Sequence, residues 1–161
     1  MANELPDPKM DNKDHIRIDL NAATRLGRLL PLLADVKVSH PTLGVFRTGQ
    51  GLWEYLKIDQ DVVERDIEEL RVASGFDAKK ISDKYQPKWN KALRNEIKLA
   101  MRSKIEDNEE IYKAFVESVL PFRYYHMLRN KKVIEPKETV WVAEWLNELR
   151  KELKEKVSKT K

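Results

Sequence analysis

From Asp59 onward, apolar side chains recur at spacings of three and four, and Pro or Gly cuts the pattern at short intervals. A stretch with that period buries one face only as a helix, and several such stretches in one chain must pack on each other or on a small sheet. Asp59 or Asp61 starts a helix on Val62, Val63, Ile67, Leu70 and Ala73, with Gly75 as its stop. Phe76 to Tyr85 reads as a short helix. Behind Pro87, a clean stripe follows on Ala92, Leu93, Ile97, Ala100, Met101 and Ile105. Asn108 caps a helix carrying Ile111, Tyr112, Phe115, Val116 and Val119, which Pro121 ends. The last helix begins near Pro136 and runs on Val142, Trp145, Leu146, Leu149 and Leu153.

The first third of the chain reads differently. Residues 1–14 are polar, contain Pro6 and Pro8, and show no period, as a flexible arm does. His15 to Leu20 and Asp35 to Ser39 alternate polar and apolar, the pattern of two short strands expected to pair. Between them Asn21 caps a helix on Ala22, Leu26, Leu29, Leu30 and Leu33 whose end Pro31 disturbs. Lys131 to Glu135 reads as another short strand. The expected fold is mainly α, five or six helices with a small N-terminal β element. The 161 residues, 41% hydrophobic, suffice for one core and are short for two. A single compact domain over 15–157 is therefore expected, with a basic end at 158–161.

Composition narrows the chemistry. With no Cys and three His far apart in sequence, neither a thiolate site nor a metal centre is expected, and no cofactor. No apolar run near the N-terminus or later approaches a membrane span, so a cytoplasmic protein without membrane partners is expected. The 31 basic and 27 acidic residues leave a surplus of four, and residues 150–161 alone, with six Lys/Arg and two Glu, account for it. Such a balance does not mark a generic nucleic-acid binder. Locally, Lys79 to Lys104 holds nine Lys/Arg against Asp83 and Glu96. Lys91, Arg94, Lys98 and Arg102 line one helix face, which suits a diphosphate or a nucleic-acid backbone, or equally a solvated face.

The run Phe46-Arg47-Thr48-Gly49-Gln50-Gly51-Leu52-Trp53-Glu54-Tyr55-Leu56-Lys57 is the most distinctive. Gly49 and Gly51 allow a sharp turn or the close approach of a ligand, and the helix after them directs N–H groups toward whatever lies in front. Trp53 and Tyr55 offer flat stacking surfaces. An ordinary turn with Trp53 as a core anchor fits the same residues. Further along, Tyr124, Tyr125 and His126 follow Pro121 as a candidate aromatic wall, and Lys104 falls on the apolar side of its helix. Trp141 and Trp145 are four apart, as core residues or partner anchors are.

With its downstream neighbours, this run resembles the NADAR domain, a superfamily associated with NAD and ADP-ribose, and most closely its small bacteriophage-type members. Their pattern, Phe-Arg-Ser-x-Glu-Gly-Phe-Trp-Tyr-Tyr-Leu, together with the Lys that ends the family's hallmark Pro-Thr-x-Glu-His-Tyr-x-x-Ala-x-Lys, is followed by Phe46, Arg47, Thr48, Gly51, Leu52, Trp53, Tyr55, Leu56 and Lys57. Ala73-Ser74-Gly75-Phe76-Asp77-Ala78-Lys79-Lys80 looks like the family's Gly-x-x-Ala-Lys segment. Trp89 and Arg94 resemble the opening of its long helix, and Met101, Lys104 and Asn108 its continuation. Leu120-Pro121-Phe122-Arg123-Tyr124-Tyr125 is similar to the phage-type Leu-Pro-Phe-x-His-Tyr-Tyr, and Trp141 sits near its Phe-Trp-Gly. The likeness spans residues 38–150 and departs at three places: Gln50 for the catalytic Glu, Ile105 for Phe, and Val142 for Gly.

The resemblance implies a compact helical fold and a ligand site that includes Arg47, Gly49, Gly51, Trp53, Lys79, Lys104, Tyr124, Tyr125 and Trp141. Enzymatic members cleave an N-glycosidic bond to ribose, which calls for a carboxylate at an oxocarbenium-like centre. Gln50 is a poor substitute. Glu54, one helical turn on, is the internal alternative if the helix has begun by Gln50. Three functions follow: a nucleotide or ADP-ribosylated-base binder acting in counter-defence, an N-glycosidase using Glu54, and a non-enzymatic inhibitor docking on a host protein, with the basic C-terminal helix as its docking element.

Overall fold

The computed structural model describes residues 4–58 and 60–159, so Asp59, one of the two expected helix starts, lies outside the described residues. Among the described residues there are seven α-helices and six short strands. In chain order they are β1 (Ile16–Ile18), α1 (Arg25–Leu29), β2 (Val38–His40), β3 (Gly44–Phe46), α2 (Gly49–Leu56), α3 (Glu64–Val72), α4 (Gly75–Asp83), α5 (Arg94–Glu106), α6 (Glu109–Glu117), β4 (Phe122–Tyr124), β5 (His126–Met127), β6 (Val133–Ile134) and α7 (Val140–Lys159). The fold is mainly helical, and among the described residues no helix is long and apolar enough to cross a membrane. Contacts group the chain into two compact units, Met1–Leu30 with Lys113–Lys161, and Pro31–Tyr112, with the boundary inside α6.

In the first unit, β1 pairs with β4 in parallel, Ile16 opposite Phe122 and Ile18 opposite Tyr124. The expected pairing of the first two alternating segments is therefore corrected: the first joins a strand from the far end of the sequence, and the second forms a hairpin of its own. Ile16, Ile18, Phe122 and Tyr124 are buried, and α7, whose Leu146, Leu149 and Leu153 are buried too, packs on β4. Phe122 stacks on Phe115 at 5.3 Å between ring centroids, and the Arg150 guanidinium lies over its ring at 4.6 Å. Arg150 also donates to Ser118 Oγ and to Leu120 O, at 2.9 and 2.7 Å. These bonds lock the turn before β4 to α7.

Two local expectations in this unit change. Thr24, not Asn21, caps α1, because its hydroxyl accepts from Gly27 N at 2.9 Å while Asn21 N donates to Asp19. Within the expected arm, Asp11 accepts from Arg17 N and Ala23 N, and a 3-10 turn spans Pro8–Met10. The described part of that segment is thus bonded to the body of its unit.

In the second unit, α2 packs on α3, α4 and α5, and the β2–β3 hairpin, with Val38 opposite Phe46, lies against α5 and α3. Val38, Phe46, Leu52, Leu70, Ala73, Ala78 and Ala100 form its apolar centre. Of the expected stripe, Ile97, Ala100, Met101 and Ile105 are buried on α5, whereas Ala92 and Leu93 precede it in a 3-10 turn and Ala92 is exposed. Gly75 does not stop α3, which ends at Val72. It opens α4 instead, with Ser74 as the N-cap accepting from Asp77 N at 3.2 Å. Asp61 does not cap α3 either: Val63 occupies the cap position, without a side-chain bond.

Candidate functional site

α2 begins at the distinctive run because Thr48, extended at φ −135° and ψ 156°, turns its hydroxyl back to accept from Gly51 N at 3.0 Å. Gln50 N donates to Leu32 O at 2.8 Å. These two N–H groups are therefore used within the chain, contrary to the expectation that they face a ligand. The glycines have a packing cause as well. A Cβ on Gly51 would stand 2.7 Å from the backbone oxygen of Leu70, and one on Gly49 would stand 2.9 Å from Leu32 Cδ2. Close approach of the chain's own backbone and side chains, rather than of a ligand, accounts for both.

α2 has started by Gly49, so Gln50 and Glu54 lie one turn apart on one face, and both are buried. Gln50 Nε2 donates to Glu54 Oε2 at 3.0 Å. The same oxygen meets Lys57 Nζ at 2.9 Å, and Glu54 Oε1 accepts from Ser82 Oγ of α4 at 2.9 Å. Three donors engage this carboxylate, two on Oε2 and one on Oε1, and hold it in place between α2 and α4.

Lys104 is 1% exposed on the buried side of α5, and its Nζ donates to Pro31 O at 2.7 Å. Burial pushes its ammonium down to about 7. Pro31 and Leu32 thus offer consecutive carbonyls, one to Lys104 and the next to the backbone of Gln50. A single peptide segment links the start of α2 to the one fully buried lysine of α5.

The other expected residues divide. Arg47 is exposed and holds Asp35 through a two-pronged pair at 2.9 and 3.0 Å, and Lys79 is exposed on α4. Trp53 is buried and stacked on Trp89, with ring centroids 4.5 Å apart and planes 10° from parallel. Arg102, on the expected basic face, pairs with Glu106 at 2.7 Å.

Tyr124, Tyr125 and Trp141 belong to the other unit. There Tyr125 is completely buried. His15 Nδ1 bonds Asp14 Oδ1 at 2.6 Å, and its Nε2 bonds the Tyr125 hydroxyl at 2.8 Å. Burial pushes the Tyr125 phenol up to about 12. Trp141 Nε1 donates to Glu138 O at 2.7 Å.

Sequence reasoning missed Ser82 and Lys57 as partners of Glu54. Lys57 carried a signal, three residues beyond Glu54 on one helix. Ser82, 28 residues away, carried none. Among the described residues no group of three or more His, Asp or Glu could hold a metal ion. Protein-family models, curated proteins and solved structures give no match to the chain.

Proposed function

We propose that the chain is a small NADAR-like domain of the phage type that binds an ADP-ribose- or NAD-like nucleotide, or an ADP-ribosylated base, without cleaving it. The observation that carries this reading is the engagement of Glu54: with a neutral amide at position 50, the nearest carboxylate on α2 is held by Gln50, Ser82 and Lys57. Thr48, Gln50, Glu54, Ser82 and Lys104 are all buried in one unit, where they bond to one another or to its backbone. That this cluster belongs to a binding site is what the resemblance to the family suggests. Counter-defence is the role that the resemblance to phage-type members suggests for such a binder.

A thermal-shift titration tests the binding. ADP-ribose or NAD at about 100 times its dissociation constant adds roughly 2.7 kcal/mol to the stability of a binder. The protein is expected to shift with one of these ligands, and to release no ADP-ribose from ADP-ribosylated guanine in DNA. Gln50→Glu is expected to introduce turnover. Absence of a shift with both ligands at millimolar concentration sinks the reading. Release of ADP-ribose by the unmodified protein, abolished by Glu54→Ala, would establish the N-glycosidase instead.

A further inference from the structure

Beyond the buried cluster, the C-terminal end of α2 faces a recess of about 510 Å³ closed on the other side by the segment that leads into α5. Its walls are Leu56, Trp89 and Leu93, and its polar lining is Lys57, Lys88, Asn90 and Lys91. The shape has local causes. Gln86 takes a left-handed backbone, φ 50°, ahead of Pro87, and Lys88 N then donates to Lys57 O at 2.9 Å, which ties the two walls together. Asn90 accepts from Ala92 N at 2.9 Å and starts the 3-10 turn that presents Lys91. Trp89 is held flat against Trp53, so the indole is set before any ligand arrives.

Charge and shape point the same way. The Lys57 ammonium is already shared with Glu54. Lys88 and Lys91 are exposed, and among the described residues neither pairs with a carboxylate. Among the described residues, no acidic side chain lines the recess. Two unpaired cations thus stand at the rim of a pocket with an aromatic and aliphatic floor. A ligand that fits must carry negative charge at one end and a flat apolar group at the other. Phosphate joined to a nucleobase has that character, and stacking with lysine contacts is how such groups are held without base-specific readout.

We infer that the recess bounded by Lys57, Lys88, Trp89 and Lys91 is a binding site for a base-bearing phosphate, separate from the buried Gln50–Glu54 cluster. The phosphate meets Lys88 and Lys91, and the base lies against Trp89, Leu56 and Leu93. The assignment does not rest on the reading of Gln50.

Titration with ADP and with a short oligothymidylate tests it, at low and at physiological salt. Lys57 is left intact because it also holds Glu54. The double variant Lys88→Glu/Lys91→Glu changes only exposed side chains, and is expected to weaken binding about tenfold or more, while Lys88→Arg/Lys91→Arg retains it. Binding should also weaken as salt rises. Whichever probe binds identifies the source of the phosphate, free nucleotide or nucleic-acid strand. Three results overturn the inference: neither probe binds at millimolar concentration, the charge reversal leaves binding unchanged, or an oligoglutamate binds as tightly as ADP. If binding survives the reversal but is lost in Lys104→Met, the ligand sits at the buried cluster; the recess then fails while the proposed function stands.

Discussion

Replacing Lys104 with Met should stabilise the protein in mild acid, and the gain should shrink with rising pH until it is gone or reversed by about pH 10. The side chain is 1% exposed, its ammonium donates to the carbonyl of Pro31, and burial lowers that ammonium from 10.5 to about 7. Between those two values the unfolded chain holds a proton that the folded chain does not, so stability rises with pH across that window. At about 1.4 kcal/mol per pH unit, the penalty carried by the charged form below pH 7 is roughly 5 kcal/mol.

Met fills a similar volume without charge, so the penalty disappears. It also leaves Pro31 O without its donor, at a cost of about 1–3 kcal/mol. At pH 6 the variant is therefore expected to be more stable by about 2–4 kcal/mol. At pH 10 most of the penalty has already gone from the unmodified protein, and the lost hydrogen bond leaves the variant level or about 2 kcal/mol less stable. Urea unfolding of both proteins at pH 6, 8 and 10 reads the difference, in which the titration of all other groups cancels. A variant less stable at pH 6, or a difference that does not move with pH, would refute the assignment of Lys104 as a buried, uncompensated cation.

Other substitutions test the local geometry. Gly51→Ala would gain helix propensity at an ordinary site, but here the new methyl meets Leu70 O at 2.7 Å. A net loss of about 1–3 kcal/mol is expected from the shift in urea midpoint, and an unchanged or raised midpoint would refute the close approach. Tyr125→Phe removes the hydroxyl that serves His15 Nε2, and should cost about 1–3 kcal/mol. Burial raises the phenol from 10.0 to about 12, so that cost should persist undiminished up to about pH 9 and fall only as pH rises between those two values. A cost that vanishes below that window would show that the bond is not the cause.

Helical periodicity carried the fold where one face is apolar and the other polar. The buried part of the α5 stripe and the Asn108 cap, whose side chain accepts from Ile111 N at 3.0 Å, follow from it directly, whereas α6 ends at Glu117 and leaves the expected Val119 exposed outside the helix. It failed where two neighbouring residues compete for one role. Ser74-Gly75 reads as a helix end because Gly often follows one, yet Ser74 is also a strong N-cap. The tie is broken by Leu33, whose Cδ2 would stand 2.7 Å from any Cβ on residue 75. Alternation identified β1 as a strand but held no information on its partner, because β4 contributes only Phe122–Tyr124 and its register is fixed by Ile16 N donating to Pro121 O at 2.8 Å. In the candidate site, the Gln50–Glu54 pair was legible from a spacing of four, whereas Ser82 and the Pro31–Leu32 carbonyls arrive by tertiary packing.

Positions 50 and 54 of α2 are best understood together. In the phage-type pattern that this run resembles, the position of Gln50 is Glu and that of Glu54 is Tyr, so relative to it the carboxylate stands one turn further along the helix. Glu at both positions would place two carboxylates where Nε2 and Oε2 now lie 3.0 Å apart, and one of them would be driven to hold a proton. An amide avoids that conflict, because it offers the carboxylate a donor where a second acid would repel it. Glu54 in turn draws Lys57 onto the helix end, and the Lys57 ammonium stands 5.5 Å from the Trp53 ring, beside the Trp89 stack. A change at position 50 would therefore propagate through Glu54 and Lys57 toward the recess. The single substitution Gln50→Glu puts a carboxylate where the phage-type pattern has one, but it also loosens the pairing that holds Lys57. The double variant Gln50→Glu/Glu54→Gln moves the charge back without doubling it, and should therefore release more ADP-ribose from ADP-ribosylated guanine than the single variant does. Equal or lower release by the double variant would show that the two side chains do not compete for one charge.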